Sequence, residues 1–181
     1  QIQTRVSAGR AAAIGGGPLG QAEAVTLGAE HLPRRVALRL GELRGRARGA
    51  LWGGNLTLIN ERLGTPERLD FDGSILFIED VDEKLYAFDR MLLHLRASGS
   101  LERISGLVVG EMLEMGDSDV PFGKTVNEIV LDICGDLDIP IISNFPCGHG
   151  DCQATLPVSH EVVLDASGGE PFILIPESPV T

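Results

Sequence analysis

Short runs of uninterrupted apolar residues constrain the fold of this chain more than any other feature. Residues 75–78 read Ile-Leu-Phe-Ile, and residues 106–110 read Gly-Leu-Val-Val-Gly. Consecutive apolar side chains are typical of strands in parallel sheets that are covered on both faces, because neither face then meets water. Apolar residues recur at helical spacing after each run, over 85–95 and over 126–133. This alternation predicts an α/β fold, a mixed sheet with flanking helices.

The remaining elements are predicted from caps and shorter apolar runs. A short helix follows Asn55 and ends at Gly64-Thr65-Pro66, as a glycine with a following proline predicts. Asp80 stands three residues before Glu83, which resembles a capping pair for a helix over 82–97. Further strands are predicted at 140–142, 162–164 and 172–175, with a loop over 144–150.

Composition narrows the class of protein. The chain has 181 residues and a mass of 19.3 kDa, with 43% hydrophobic and 23% charged residues, which fits one globular domain or a domain with an appendage. No apolar run approaches the ~18 residues that a membrane span needs. The net charge of −11 argues against nucleic acid as a partner, because such binding depends on Lys and Arg at the phosphates.

The charge is unevenly distributed along the chain. Residues 1–50 contain eight Arg and three acidic residues, whereas residues 51–181 contain seven basic and 23 acidic residues. The first stretch is also rich in Gly and Ala and contains no run that predicts a buried strand. We therefore predict a poorly ordered or divergent segment over 1–34 and a folded domain over 35–181. Because the sequence opens on Gln1 rather than Met, we expect a fragment of a longer protein.

The three cysteines favour a reducing, intracellular setting over a disulfide scaffold, because their number is odd and the chain is long. Cys147, His149 and Cys152 form a C-x-H-x-x-C cluster, but a structural zinc site needs a fourth ligand. We therefore expect neither a metal nor another cofactor.

Glu79 and His149 are the candidate catalytic residues. Glu79 ends the first apolar run, and His149 lies between two glycines shortly after residues 140–142. Sheets of this class place their chemistry at the carboxyl ends of the strands, so the two side chains can meet there. A carboxylate that accepts a hydrogen bond from imidazole leaves the other ring nitrogen free to take a proton from a nucleophile. Spacing alone equally allows a helix-capping Glu79 and an ordinary loop histidine.

Three ordered motifs resemble the serine LD-carboxypeptidase family, which includes murein tetrapeptide carboxypeptidases and microcin-immunity peptidases. The resemblance extends from about Arg35 to Val163. The motifs are Gly53-Gly54-Asn55-Leu56-Thr57, the E-D-x-x-E-x-x-Y-x-x-D-R string that begins at Glu79, and Phe145-Pro146-Cys147-Gly148-His149-Gly150 with Thr155-Leu156-Pro157.

The resemblance implies a Ser-Glu-His hydrolase that removes a terminal D-amino acid from an L,D peptide bond, as in the recycling of cytoplasmic muropeptides. Glu79 matches the acid of the triad and His149 its base. The resemblance also implies a swivelling β/β/α-type carboxy-terminal domain, no cofactor, and a homodimer. The family's serine lies on a separate amino-terminal domain in a G-[YF]-S-D setting, and this sequence contains no such serine.

Two hypotheses about function therefore remain at the level of sequence. In the first, the chain is the carboxy-terminal domain of a peptidase, inactive alone, with a muropeptide or other peptide as substrate and the missing nucleophile domain as partner. That domain's removal would leave an exposed apolar face. In the second, the chain is a non-catalytic peptide-binding or regulatory module derived from the family.

Overall fold

The computed structural model describes residues 36–37, 45–151, 153–167 and 171–176, and residues 1–34 lie outside them. Within these residues the chain forms seven strands and three helices. The strands are β1 (Val36–Ala37), β2 (Arg46–Asn55), β3 (Ile75–Val81), β4 (Gly106–Leu113), β5 (Ile141–Ser143), β6 (Glu161–Asp165) and β7 (Phe172–Leu174). The helices are α1 (Leu56–Arg62), α2 (Leu85–Ala97) and α3 (Val126–Cys134).

The described strands form one mixed sheet in the order β1-β5-β4-β3-β2-β6-β7. The four central strands, β5, β4, β3 and β2, are mutually parallel, and β1, β6 and β7 are antiparallel to their neighbours. The predicted α/β fold class is thereby confirmed. The carboxyl ends of β2, β3 and β4 lie side by side at one edge of the sheet, where α1 follows β2 directly.

Two apolar cores cover the two faces of the sheet. Alternate residues of β3 divide between them: Leu76 and Ile78 pack with the three helices, whereas Ile75 packs with β6, β7 and the loop that follows β5. This division explains why the run over 75–78 contains no polar residue. No helix among the described residues is both long enough and apolar enough to cross a bilayer.

Strand β2 is missing from the elements that the sequence predicts. Strand β2 begins at Arg46, inside the stretch in which the sequence indicated no buried strand. Its glycines and its alternating exposed residues, Arg46 and Arg48 among them, hide the strand signal. Gly53 has a structural reason: its φ is +146°, and a Cβ there would lie 1.8 Å from the carbonyl oxygen of Phe77 on β3. Close strand packing therefore requires glycine at a position that weakens the strand pattern.

The predicted capping pair of Asp80 and Glu83 is wrong. Helix α2 begins at Leu85 with Lys84 as its N-cap, and no side chain accepts a hydrogen bond there. Asp80 is instead buried and points toward α1, where it accepts hydrogen bonds from Asn55 Nδ2 (2.8 Å) and from the backbone N–H and Oγ1 of Thr57 (3.0 and 2.9 Å). A buried carboxylate needs such donors, so Asp80 fixes the junction of β2 and α1.

Candidate active site

Glu79 lies near the carboxyl end of β3, the central strand of the seven in the described sheet. Only 9% of its side chain is exposed. Glu79 directly follows the apolar residues of β3, which are covered by a core on each face of the sheet, so its side chain is largely covered as well. A carboxylate so buried requires a hydrogen-bond donor.

His149 supplies that donor. It lies in the loop after β5, and its Nδ1 is 2.8 Å from Oε2 of Glu79, 70 positions earlier in the chain. A carboxylate oxygen accepts, so Nδ1 carries the proton and Nε2 is left as the basic nitrogen. The His149 side chain is 53% exposed. The arrangement is a buried acid that orients an accessible base, as general base catalysis requires.

The glycines on both sides of His149 allow this contact. At Gly148, where φ is +128°, a Cβ would lie 2.9 Å from Oε2 of Glu79. At Gly150 a Cβ would lie 1.9 Å from Oε2 of Glu111, which is the residue after Gly110 on β4. The loop therefore packs against Glu79 at Gly148 and against Glu111 at Gly150. A side chain at either glycine would push the loop away from that carboxylate.

Glu111 is a second carboxyl group at this edge. Its Oε2 is buried and has no hydrogen-bond partner among the described residues. Burial raises the pKa of Glu111, and the charge of Asp151 acts in the same direction, whereas hydrogen bonding from the Gly150 backbone opposes the change. Its backbone N–H donates to the carbonyl of Cys147 (3.0 Å), which joins β4 to the His149 loop.

Cys147 is not available as a nucleophile. Burial raises the pKa of its thiol to about 12, and the charges of Glu79 and Glu111 act in the same direction. The reactive form of cysteine is the thiolate, so a thiol of this pKa is inert at neutral pH. The described residues contain no group of three or more His, Cys, Asp or Glu placed to hold a metal ion. Cys152, the third member of the C-x-H-x-x-C cluster, lies outside them.

The model of the LD-carboxypeptidase C-terminal domain matches residues 48–164, which is more than half of the chain. This chain belongs to the LD-carboxypeptidase C-terminal domain family. The match begins within β2 and ends within β6, so it includes β3, β4, β5 and both residues of the pair.

Relatives with carboxypeptidase names match the same region. A Synechocystis sp. protein that carries such a name is 43% identical over 129 residues, or 70% of this chain and 42% of the relative. The murein tetrapeptide carboxypeptidase of Pseudomonas aeruginosa is 30% identical over 129 residues, or 71% of this chain and 41% of the relative. The chain thus spans less than half the length of these relatives.

Solved structures show the same architecture. The muramoyltetrapeptide carboxypeptidase from Oxalobacter formigenes superimposes with a TM-score of 0.67 at 35% identity, over 78% of this chain and 48% of that one. The microcin C7 self-immunity protein MccF, solved with glutamyl sulfamoyl guanosine, gives a TM-score of 0.66 at 24% identity, over 76% of this chain and 40% of that one. The second likeness supports the fold alone.

In this LD-carboxypeptidase domain, the structure brings together the two residues singled out from the sequence, Glu79 and His149. Asn55 serves as the N-cap of α1, accepting a hydrogen bond from the Leu58 N–H at 3.2 Å. Sequence reasoning missed Glu111, although an acidic residue at the end of a buried strand is the same signal that indicated Glu79. It also missed Gln153, whose side chain hydrogen-bonds the backbone on both sides of His149.

Proposed function

We propose that this chain supplies the acid and base of a Ser-Glu-His serine carboxypeptidase, with the serine contributed by a domain that the chain does not contain. The contact between Glu79 Oε2 and His149 Nδ1 at 2.8 Å carries the proposal. In it, Nε2 of His149 takes the proton of the serine hydroxyl, and the buried Glu79 stabilises the imidazolium that forms. Glu79 and His149 are thus the catalytic residues of this domain.

The location of the missing nucleophile follows from the exposure of the base. No described serine hydroxyl hydrogen-bonds His149; Ser143, for example, donates to Asn127. The accessible side of the imidazole therefore faces outward, where a second domain would present the serine and the backbone donors for the oxyanion. Leu58, in the first turn of α1 at the same edge of the sheet, is 60% exposed, but a single exposed leucine is common on protein surfaces and does not define the apolar face expected from the sequence.

The substrate we propose is a peptide that ends in an L,D bond to a D-amino acid, above all a muropeptide tetrapeptide. The names of the Pseudomonas aeruginosa and Oxalobacter formigenes relatives support this choice. A cytoplasmic site of muropeptide recycling and a homodimer belong to the same proposal. Fractionation of cells and light scattering of the whole protein test these two points.

The experiment measures release of D-alanine from an L,D-linked tetrapeptide by the chain alone and by the chain joined to a nucleophile domain. We expect activity only in the joined protein, and a fall of at least about 10³-fold in kcat/KM for Glu79→Gln and His149→Gln, because each removes one function of the triad. His94→Gln is the matched control, an exposed histidine on α2, and should retain full activity.

Two results would contradict the proposal. Activity of the joined protein that survives both Glu79→Gln and His149→Gln would show that the pair is not catalytic. Peptide binding without turnover in the joined protein would favour the alternative, a non-catalytic peptide-binding or regulatory module.

A further inference from the structure

One side chain, Gln153, holds backbone groups on both sides of His149. The N–H of Gly148 donates to Oε1 of Gln153 at 3.1 Å, and Nε2 of Gln153 donates to the carbonyl of Gly150 at 2.7 Å. A carboxamide is suited to this task because it presents one acceptor and one donor in a single plane. The three residues of the loop centre are thus tied to one planar group.

Among the described residues the rest of the loop has few other hydrogen bonds, one of them between the Gly150 backbone and the carboxyl group of Glu111. The carbonyl of Cys147 accepts from the Glu111 N–H at 3.0 Å, and the carbonyl of Pro146 accepts from the Ala154 N–H at 2.7 Å. Between these points lie two glycines, which have the greatest backbone freedom of any residue and lose the most entropy when ordered. The contact with Glu79 is the only hydrogen bond of the His149 imidazole within the described residues, so the ring keeps its place only while the loop backbone holds it within reach of Glu79.

We propose that Gln153 is a positioning residue, which holds the loop so that Nδ1 of His149 remains at Glu79. Catalytic constellations need their groups within about 0.5 Å of the productive geometry, and two glycines cannot enforce that alone. Gln153 does not touch the reacting atoms and acts through the backbone of Gly148 and Gly150. A role of Gln153 in catalysis rests on the function proposed above. The effect of Gln153 on the position of the His149 imidazole does not depend on that function.

The test measures the ring nitrogens of His149 by nitrogen-15 NMR in the 181-residue chain, at pH 8.5, well above the ordinary imidazole pKa of about 6.5. In the parent chain we expect the signature of a protonated Nδ1, since Glu79 accepts there. Gln153→Met keeps the length of the side chain and removes both hydrogen bonds. We expect it to shift His149 toward the Nε2-protonated form that a free imidazole favours.

The matched control is a second pair of carboxamide and imidazole. Asn60 Oδ1 lies 3.1 Å from Nδ1 of His94 on α2. Asn60→Ala should change the His94 signals and leave those of His149 unchanged, whereas Gln153→Met should do the reverse. Folding of each variant is verified by circular dichroism.

A folded Gln153→Met chain whose His149 nitrogens match the parent would overturn the proposal. If that variant does not fold, Gln153→Glu decides, because it retains the acceptor for Gly148 and loses the donor to Gly150; its His149 signals should move, and unchanged signals refute the role. In the joined protein we expect Gln153→Met to lower kcat by up to about 10²-fold with little change in KM. Absence of turnover in every protein would count against the proposed function only, since the NMR result is independent of turnover.

Discussion

Replacement of Gly150 by alanine offers the sharpest test of the packing around His149. The three atoms nearest to a Cβ at this position all belong to the carboxyl group of Glu111: Oε2 at 1.9 Å, Cδ at 2.6 Å and Oε1 at 2.9 Å. The φ of Gly150 lies outside the left-handed region, so alanine meets no backbone strain there. Any cost of the substitution therefore comes from one carboxyl group.

The magnitude follows from these distances. To reach the 3.0 Å below which Cβ contacts essentially do not occur, Oε2 must retreat by about 1.1 Å. Overpacking of this kind costs about 1–3 kcal/mol. When Glu111 is first replaced by alanine, the obstructing atoms are gone, and the cost of Gly150→Ala should fall to about zero. We therefore expect a coupling energy of about 1–3 kcal/mol between the two substitutions.

The assay is urea denaturation of the parent, both single variants and the double variant, followed by the fluorescence of Trp52. This residue is the only tryptophan and packs, half-buried, against the helix-side core. Gly148→Ala is the control, because its φ of +128° strains alanine whether or not Glu111 is present. Additive free energies of unfolding for Gly150→Ala and Glu111→Ala would refute the argument that the loop packs against this carboxyl group.

Three further predictions concern buried groups. Burial raises the pKa of Glu111 above 4.5, so protonation of this group contributes its full stabilisation below pH 4.5, and that contribution is lost as the pH rises through the folded-state pKa. Glu111→Gln should therefore resist urea better than the parent at pH 7 and lose that advantage at pH 4. Asp80→Ala leaves the half-buried donors of Asn55 and Thr57 unpaired and should cost about 2–4 kcal/mol by urea denaturation, against little change for the exposed Asp72→Ala. Burial raises the thiol pKa of both Cys134 and Cys147 to about 12, so mass spectrometry should find neither alkylated in the native chain at pH 7 and both alkylated in urea.

The sequence predicts the fold best for strands that are buried on both faces, because such strands contain no polar residues. Strand β3 satisfies this condition, whereas β2 combines glycines with exposed arginines and was not predicted. The reason for Gly53 becomes visible only once its register against Phe77 is known. Local patterns report burial and helical periodicity, but they do not report a close approach between two strands.

The same distinction applies to the site. Acids at strand ends and glycine-flanked histidines are local features that made Glu79 and His149 candidates, and the family resemblance then implied their pairing as acid and base. Gln153 could not be predicted, because its side chain hydrogen-bonds backbone groups, which are the same in every residue and leave no pattern in the sequence. Asp80 was assigned to the wrong helix, since a spacing of three residues to Glu83 resembles a cap and only the structure shows Asn55 and Thr57 as its donors.

The order of the strands has a consequence for synthesis on the ribosome. Strand β2 pairs with β6, and Arg48 of β2 forms a salt bridge with Glu161 of β6, 113 positions later in the chain. At about 5–20 residues per second, that edge of β2 waits roughly 6–23 s for its partner. Glu79 waits roughly 4–14 s for His149, 70 positions later. The strand edge therefore remains open after Glu79 and His149 can meet, and the nascent domain presents an edge that can pair with other chains until β6 is made.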